Sequence, residues 1–388
     1  MAIERISPPT LFHTTSRSEM VKAGDVVYFS SQSAVDREGR VVGVADADAQ
    51  AAHIFQSFET ALAAVGGTMH DLVKITAILT RPEYFAAIAR ARELFLPVRG
   101  DMRPAASTTI VIPMHARPNV LMEVEAIAVV GETGRSHESI DPPRIARTPG
   151  HPQAARAGNV LHVTGIMARR WGQMLGKADA EIQSRMVFDQ FDYLLECAGA
   201  TRADVVRHMT YYTHPFHYET IRKVQDEYYA GRPPASTAVY VHALGSGPDP
   251  LVEIEATAVI GGEKRHLNPG GVAQPGMGTC VVAADGTAYV AGLVALNPAG
   301  ALVGKGDVDA QLAQIYANLE EALSAVGATR ANVVKTTTYM TRPDYFGNVR
   351  QAREAYYGDA QPTSTAFVVE GLTDPDYLVE IEAVAALD

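Results

Sequence analysis

From Asp307 to Gly327 the apolar residues fall on one helical face. Leu312, Ile315, Tyr316, Leu319, Ala322, Leu323 and Val326 recur at intervals of three and four, and Gly327 supplies a stop. The same stripe occurs twice earlier, as Ile54, Phe55, Phe58, Ala61, Leu62 and Val65 ahead of Gly66, and as Val187, Phe188, Phe191, Leu194, Leu195 and Ala198 ahead of Gly199. Each predicts an amphipathic helix. Upstream of the third stripe, ADGTAYVAGLVAL places a turn at Asp285-Gly286 between β-rich runs, which reads as a hairpin. Downstream lie a strand rich in Val and Thr, a Pro-started helix from Pro343 to Tyr357, and two more strands ending in an acidic segment. The order is β-β-α-β-α-β-β, an α+β unit whose two helices cover one face of a single sheet.

The unit is written three times. GGTMHDLVKITAILTRPEYF from Gly66, GATRADVVRHMTYYTHPFHY from Gly199 and GATRANVVKTTTYMTRPDYF from Gly327 each lead to an acidic strand: MEVEAIAVV, VEIEATAVI and VEIEAVAAL. Lys74, Arg207 and Lys335 are spaced 133 and 128 residues apart, and Ser107, Ser236 and Ser364 are spaced 129 and 128. A period that long exceeds the roughly 20 to 50 residues of solenoid repeats, so each copy can bury its own core. Domains are expected over 1–132, 133–263 and 264–388, joined by the polar, turn-forming segments GETGRSHESIDPP and GGEKRHLNPGG. One sheet face per unit is left without helices. Apolar strands there would be costly in water, so the three sheets are expected to pack together as a closed pseudotrimer within one chain, with further association between chains left open.

Composition narrows the partners. With 47% hydrophobic and 20% charged residues this is an ordinary globular chain, and no run approaches the roughly 18 apolar residues of a membrane helix. A net charge of −11 disfavours nucleic acid, whose binding needs clustered Lys and Arg. Cys197 and Cys280 stand in different repeats without metal-ligand spacing, so neither a disulfide framework nor a metal site is expected. The chain is read as cytoplasmic, a binder of small molecules, with no cofactor and no membrane association.

The segments GATRANVVKTTTYMTRPDYF, YVAGLVALNPAG, PTSTAFVV and LVEIEAVAAL, with counterparts in the other copies, resemble the RidA (YjgF, reactive intermediate deaminase) family. The resemblance implies three RidA-like (chorismate-mutase-like) domains, with ligand clefts between successive repeats as between the subunits of the family's homotrimers. It also implies a deaminase chemistry. An enamine tautomerises to an imine, water adds to the imine carbon, and ammonia leaves, with the first Glu of the E-x-E strand positioning the water and an Arg gripping a substrate carboxylate. This chain departs at that Arg. Ser107, Ser236 and Ser364 fill its position, and a hydroxyl cannot supply a bidentate charged fork.

The candidate catalytic residues are accordingly Glu123, Glu253 and Glu380. Period-two geometry puts each on the same strand face as Glu125, Glu255 or Glu382, about 6.5 to 7 Å away, where a solvated strand edge explains the pair as well as an acid and base do. Candidate binding residues are Ser107-Thr108, Ser236-Thr237 and Ser364-Thr365, which lack a recurring His or a nucleophile elbow and so suit hydrogen bonding better than covalent catalysis. Arg222 and Arg350 offer a replacement cation or merely decorate a surface helix. Gly165 and Gly292 leave room for ligand, whereas the first copy has Ser31 there, which predicts a narrower cleft. The second repeat is the odd one, with His208 in its central strand and Arg169, Arg170 and the lone Trp171 in its hairpin, so a cleft bordering it is expected to be specialised. Two functions compete: a deaminase or hydrolase acting on an imine, enamine or related nitrogen compound, and a non-catalytic small-molecule-binding or stabilising protein.

Overall fold

The structure, a computed structural model, describes residues 1–96, 103–131, 137–145, 150–170, 172–245, 247–273 and 278–387. Each unit is a six-stranded sheet with two helices on one face. In the first, the strand order is Ile3–Ile6, Met20–Ala23, Val26–Phe29, Met122–Val129, Leu72–Leu79, Ala106–Val111. The second repeats it with Glu138–Ile140, Ala154–Ala157, Val160–Val163, Val252–Val259, Val205–Tyr212 and Ala235–Tyr240, and the third with Lys264–Leu267, Val281–Ala284, Thr287–Leu293, Val379–Ala386, Val333–Met340 and Thr363–Val368. Only the last pair of each sheet is parallel. The helices are α1 (Ala47–Ala63), α2 (Phe85–Phe95), α3 (Ala180–Cys197), α4 (Tyr218–Tyr229), α5 (Val308–Ala325) and α6 (Phe346–Tyr357).

The first strand of each sheet is absent from the order read in the sequence. In the second and third units its residues lie in segments that read as linkers, and in the first at the chain's start, because a short, half-exposed edge strand such as Lys264–Leu267 carries no apolar alternation and is held by backbone pairing to Val281–Ala284. Part of the first linker, and with it the expected boundary at residue 132, lies outside the described residues.

The long helices start as their sequences dictate. Asp46, Asp179 and Asp307 cap α1, α3 and α5 by accepting from backbone N–H groups of the first turn. One turn on, a fully buried glutamine locks each helix to the acidic strand. Gln183 donates to Gly176 O (3.2 Å) and Asp249 O (2.9 Å) and accepts from Leu251 N (2.8 Å), and Gln50 and Gln311 make the same three bonds. Every polar atom of the buried amide that faces the core is thereby satisfied.

Strand alternation sorts the rest. On Met122–Val129, Met122, Val124, Ala126 and Ala128 pack under α1 and α2, so Glu123 and Glu125 face the other way. That second face is covered by the other units: one apolar cluster joins Val21 and Tyr28 to Val206, Val259, Tyr289 and Val384, and another joins Ile78 and Ile110 to Met209, Val239, Tyr339 and Phe367. A strand of the second unit, Ala243–Leu244, extends the first unit's sheet.

A cyclic set of ion pairs lies among these faces. Lys74 of the first unit meets Glu255 of the second at 2.7 Å, Arg207 of the second meets Glu382 of the third at 2.5 Å, and Lys335 of the third meets Glu125 of the first at 2.6 Å. Thr108, Thr237 and Thr365 donate to the same three carboxylates at 2.5, 2.8 and 2.6 Å. Arg207 also reaches Glu255 at 3.2 Å. A bulge before each cation, between Leu72 and Lys74 and its equivalents, turns the side chain to this axis. Burial alone would raise the pKa of Glu255, but Lys74 and Arg207 more than offset it and hold the group at about 2.

Glu255→Gln is expected to cost about 3–5 kcal/mol of unfolding free energy, because it strands the buried Lys74 without a carboxylate, while Arg207 keeps Glu382. In the native protein the depressed pKa means that this contribution is complete above about pH 4.5 and is lost as the pH falls towards 2. Urea titration at pH 7 and pH 3 measures both effects. An unchanged midpoint at pH 7 would mean that the ring contributes nothing.

Candidate functional site

The acidic strand carries one carboxylate to the axis and the other to a boundary between units. Glu253 and Glu380 are buried, and in each Oε2 has no hydrogen-bond partner among the described residues. They press against Gly165 and Gly292, where an added Cβ would run into the carboxylate. Burial, reinforced by the charge of Glu255 or Glu382 two residues on, pushes both up to about 8. Each is therefore a protonated acid at neutral pH, ready to give or take a proton.

Glu253 opens on the larger cleft, about 640 Å³, between the first and second units. Opposite it stands Ser107, whose Oγ lies 3.0 Å from Nδ1 of His151. Burial and the nearby Arg92 guanidinium lower His151 to about 4, so this imidazole is neutral. Gln153, Gln190 and Arg169 complete the polar lining, and Phe85, Pro143, Ile145, Ile166 and Met167 form an apolar wall. Arg169 is near enough for its charge to draw the Glu253 pKa down, against the larger effect of burial.

Glu380 opens on a cavity of about 60 Å³ between the second and third units, lined also by Ser236, Thr237, Gln225, Tyr218 and Arg222. Gln225 Nε2 donates to Ser236 Oγ at 3.3 Å. Arg222 stands at this site but is half-exposed and paired to Glu219 at 2.8 Å.

The third boundary, between the third and first units, is filled by side chains. Arg353 is buried and bonds Ser364 Oγ at 2.6 Å, Ser16 O at 2.8 Å and Ser16 Oγ at 3.2 Å. Burial lowers its pKa only to about 10, so it stays charged at pH 7. Ser31 donates to Glu123 Oε2 at 2.7 Å in the space that glycine leaves open in the other units, and His115 lies 3.7 Å from the same carboxylate.

The structure thus brings Glu253, Ser107 and Gly165 together at one cleft and Glu380, Ser236, Gly292 and Arg222 at another, while Glu123 and Ser364 lie at the third boundary, where Ser31 and Arg353 bond them. Thr108 and Thr365 direct their hydroxyls to the axial carboxylates. Arg350 is exposed on α6. His208 is a core residue between Phe188 and Tyr229, lowered to about 3 by burial. Trp171 lies outside the described residues. Sequence reasoning missed Arg92, Gln225 and Arg353, which occupy equivalent places three residues beyond Ala89, Arg222 and Arg350. Their signal was available: each lies one turn further along the second helix, on its sheet-facing side. His151 carried no signal, since only folding brings it to Ser107.

Arg353→Gln, which copies the second unit, is expected to lose about 1–3 kcal/mol of stability by removing charged hydrogen bonds across the closed seam. Chemical denaturation measures it, and an unaltered stability would mean that the seam is held elsewhere.

The sequence profile described as Endoribonuclease L-PSP matches residues 12–130, 144–260 and 278–387. A RutC family protein of Pyrococcus horikoshii is 31% identical over 97 residues, which is 25% of this chain and 76% of that protein. The 2-iminobutanoate/2-iminopropanoate deaminase of Mus musculus is 36% identical over 104 residues, covering 27% of this chain and 76% of the mouse protein. A chorismatase crystal structure is similar in fold, with a TM-score of 0.56 at 14% identity across 82% of this chain and 93% of that one. Matched three times by one profile, and similar to relatives across most of their length, the chain belongs to the RidA (YjgF) family described as Endoribonuclease L-PSP, as three tandem copies.

Proposed function

We propose that the protein hydrolyses imines or enamines to carbonyl compounds and ammonia, with Glu253 as its acid and base in the cleft between the first and second units. The observation that carries this reading is the Glu253 carboxyl: buried, one oxygen without a partner, protonated near neutrality, and facing a 640 Å³ cleft. The mouse relative's name, a deaminase of 2-imino acids, supports the same class of reaction.

The chain's residues supply a balanced sequence. Glu253 gives its proton to the imine nitrogen, or to the carbon of an enamine, making the adjacent carbon electrophilic. The resulting carboxylate takes a proton from water as the water oxygen bonds to that carbon. Glu253 then protonates the nitrogen, the C–N bond breaks, ammonia leaves, and the hydroxyl proton of the forming carbonyl restores the acid. Ser107, its orientation set by neutral His151, offers a hydrogen bond to the substrate or water. Glu380 has the same chemistry in a smaller cavity, with Arg222, Ser236 and Gly292 beside it.

Glu253→Gln should cut kcat/KM for ammonia release by about 10²- to 10⁴-fold, the ordinary worth of a positioned acid and base. Because the protonated form starts the reaction and the pKa is raised to about 8, kcat/KM should be level below that pH and fall tenfold per unit above it. Ammonia assays over a panel of imines test both. Full activity in the variant would remove Glu253 from the mechanism, and inactivity of the native protein on every imine would favour a purely ligand-binding role.

The same reading takes the chain as a pseudotrimer in one polypeptide, with units near 1–132, 133–263 and 264–388. Linking raises the effective concentration of the units to the order of millimolar, which favours closure within a chain. Light scattering should give the 41.6 kDa of one chain or a multiple built from closed chains. Cutting between units should leave the fragments associated; separation of the fragments would overturn the closed arrangement.

A further inference from the structure

A third cavity, of about 240 Å³, lies on the axis where the units meet and is lined by different residues from either cleft. Its rim is formed by three hairpin turns, at Asp25, Asn159 and Asp285, one from each unit, with Asn159 Nδ2 donating to Asp285 Oδ2 at 2.9 Å. Inside, the threefold likeness breaks. Tyr28 stands opposite Ile127 in the first sheet and Tyr289 opposite Val384 in the third, but the second sheet sets His162 opposite Thr257. A small polar pair thus replaces a phenol and an aliphatic side chain. Tyr28, His162, Tyr289 and Thr257 all line the cavity, are at most 8% exposed, and make no side-chain hydrogen bond among the described residues. Buried polar groups are normally satisfied, and four of them facing one space point to a ligand.

Charge and size select the ligand. The cations on the wall are already matched: Lys74 bonds Thr108, Val163 O and Glu255, Lys335 pairs with Glu125, and Arg207 pairs with Glu255 and Glu382. Burial and the Lys74 and Arg207 charges lower His162 to about 3, so it is neutral at pH 7. An anion would have to pass Asp25 and Asp285 to reach cations that have partners, and a cation would meet carboxylates that have partners. Either would be buried without a counter-charge, which is costly. A neutral oxygen is different, because Arg207 gives its carboxylates only Nη hydrogens and has further N–H groups left for an acceptor. An apolar cavity of roughly 150 Å³ holds benzene, so about 240 Å³ takes one ring with small substituents, against Val129, Val160, Ala256 and Val384. We infer that the axial cavity binds an uncharged single-ring aromatic compound carrying a hydroxyl or carbonyl group, its oxygen directed to His162 and Thr257 and its ring beside Tyr28 and Tyr289. The site is independent of the chemistry proposed for Glu253. Its ligand touches all three units, so binding also favours their closed arrangement.

Calorimetry on the full chain tests this with neutral para-hydroxyacetophenone and para-cresol, and with para-hydroxybenzoate and tyramine as anionic and cationic counterparts of the same ring. The neutral compounds should bind once per chain, at least about tenfold more tightly than either charged one, and should raise the melting temperature as their concentration rises. His162→Tyr copies the first and third units and puts a phenol into the ligand's space, so binding should fall at least about tenfold. Thr257→Val keeps the shape and removes one hydroxyl. It should weaken binding about two- to tenfold, the net worth of one neutral hydrogen bond. Should His162→Tyr fail to fold, Thr257→Val and the charge series still decide. Absence of binding by both neutral compounds, equal binding of a charged counterpart, or undiminished binding in Thr257→Val and a folded His162→Tyr would overturn the inference. Binding that survives both substitutions but is lost in Glu253→Gln would place the ligand in the cleft instead, and overturns it equally.

Discussion

Three carboxylates at the meeting of the units, Glu255 and Glu382 buried and Glu125 partly so, are each gripped by a cation and a threonine. Taking such charges out of water costs several kcal/mol apiece, and only close partners with satisfied hydrogen bonds offset that cost. Glu255 meets both conditions: Lys74 at 2.7 Å and Thr108 at 2.5 Å come from the first unit, and Arg207 at 3.2 Å from its own. A slide of one sheet past its neighbours by a single residue, about 3.3 Å, would pull each carboxylate away from its cation and threonine and leave charges against the apolar clusters on either side. The ring is therefore a register device, and register decides what reaches the clefts.

The ring also tunes the chemistry. Glu253 lies two residues from Glu255 on the same strand face, about 6.5 to 7 Å along the chain. Because Lys74 and Arg207 keep Glu255 ionised, its negative charge adds to burial in raising Glu253 to about 8, while Lys74 and Arg169 pull the other way. Glu380 and Glu382 repeat the relation. An ion-paired carboxylate and a protonated one are thus separated by environment alone, within the single motif E-x-E. The glycine facing the protonated one completes the arrangement, since Ser31 in the first unit supplies Glu123 with the hydrogen bond that Glu253 Oε2 and Glu380 Oε2 lack.

Helices α1, α3 and α5 were legible because their burial is one-sided and so leaves a period in the sequence, and the acidic strands because glutamates alternate there with apolar residues. The leading edge strands were not, since Glu138–Ile140 and Lys264–Leu267 bury too little to leave one. Lys74, Arg207 and Lys335 stood out as repeated positions, but the sequence could not show that each one's partner belongs to the next unit. The same limit hid His151 beside Ser107. Period-two reasoning did place both glutamates of each pair on one face, and left open whether that face met solvent; the answer depended on the other two units.

Hydrogen bonds cross all three boundaries between units. At the first, Arg92 donates to Gly150 O, Ser139 to Pro104 O and Ser107 N to Thr164 Oγ1. At the second, Thr279 donates to Pro233 O through its hydroxyl and to Pro234 O through its N–H. At the third, Arg353 donates to Ser16 and Ser364, Ser18 to Gln361 O, and Ser364 N to Ser30 Oγ. What differs is the second helix: Arg92 and Arg353 reach across their boundaries, whereas Gln225 donates to Ser236 of its own unit. Ser31 stands where the other units have glycine, and its hydroxyl donates to Glu123 Oε2, so one carboxylate of the three has a neighbour's hydrogen bond where Gly165 and Gly292 leave Glu253 and Glu380 against bare backbone.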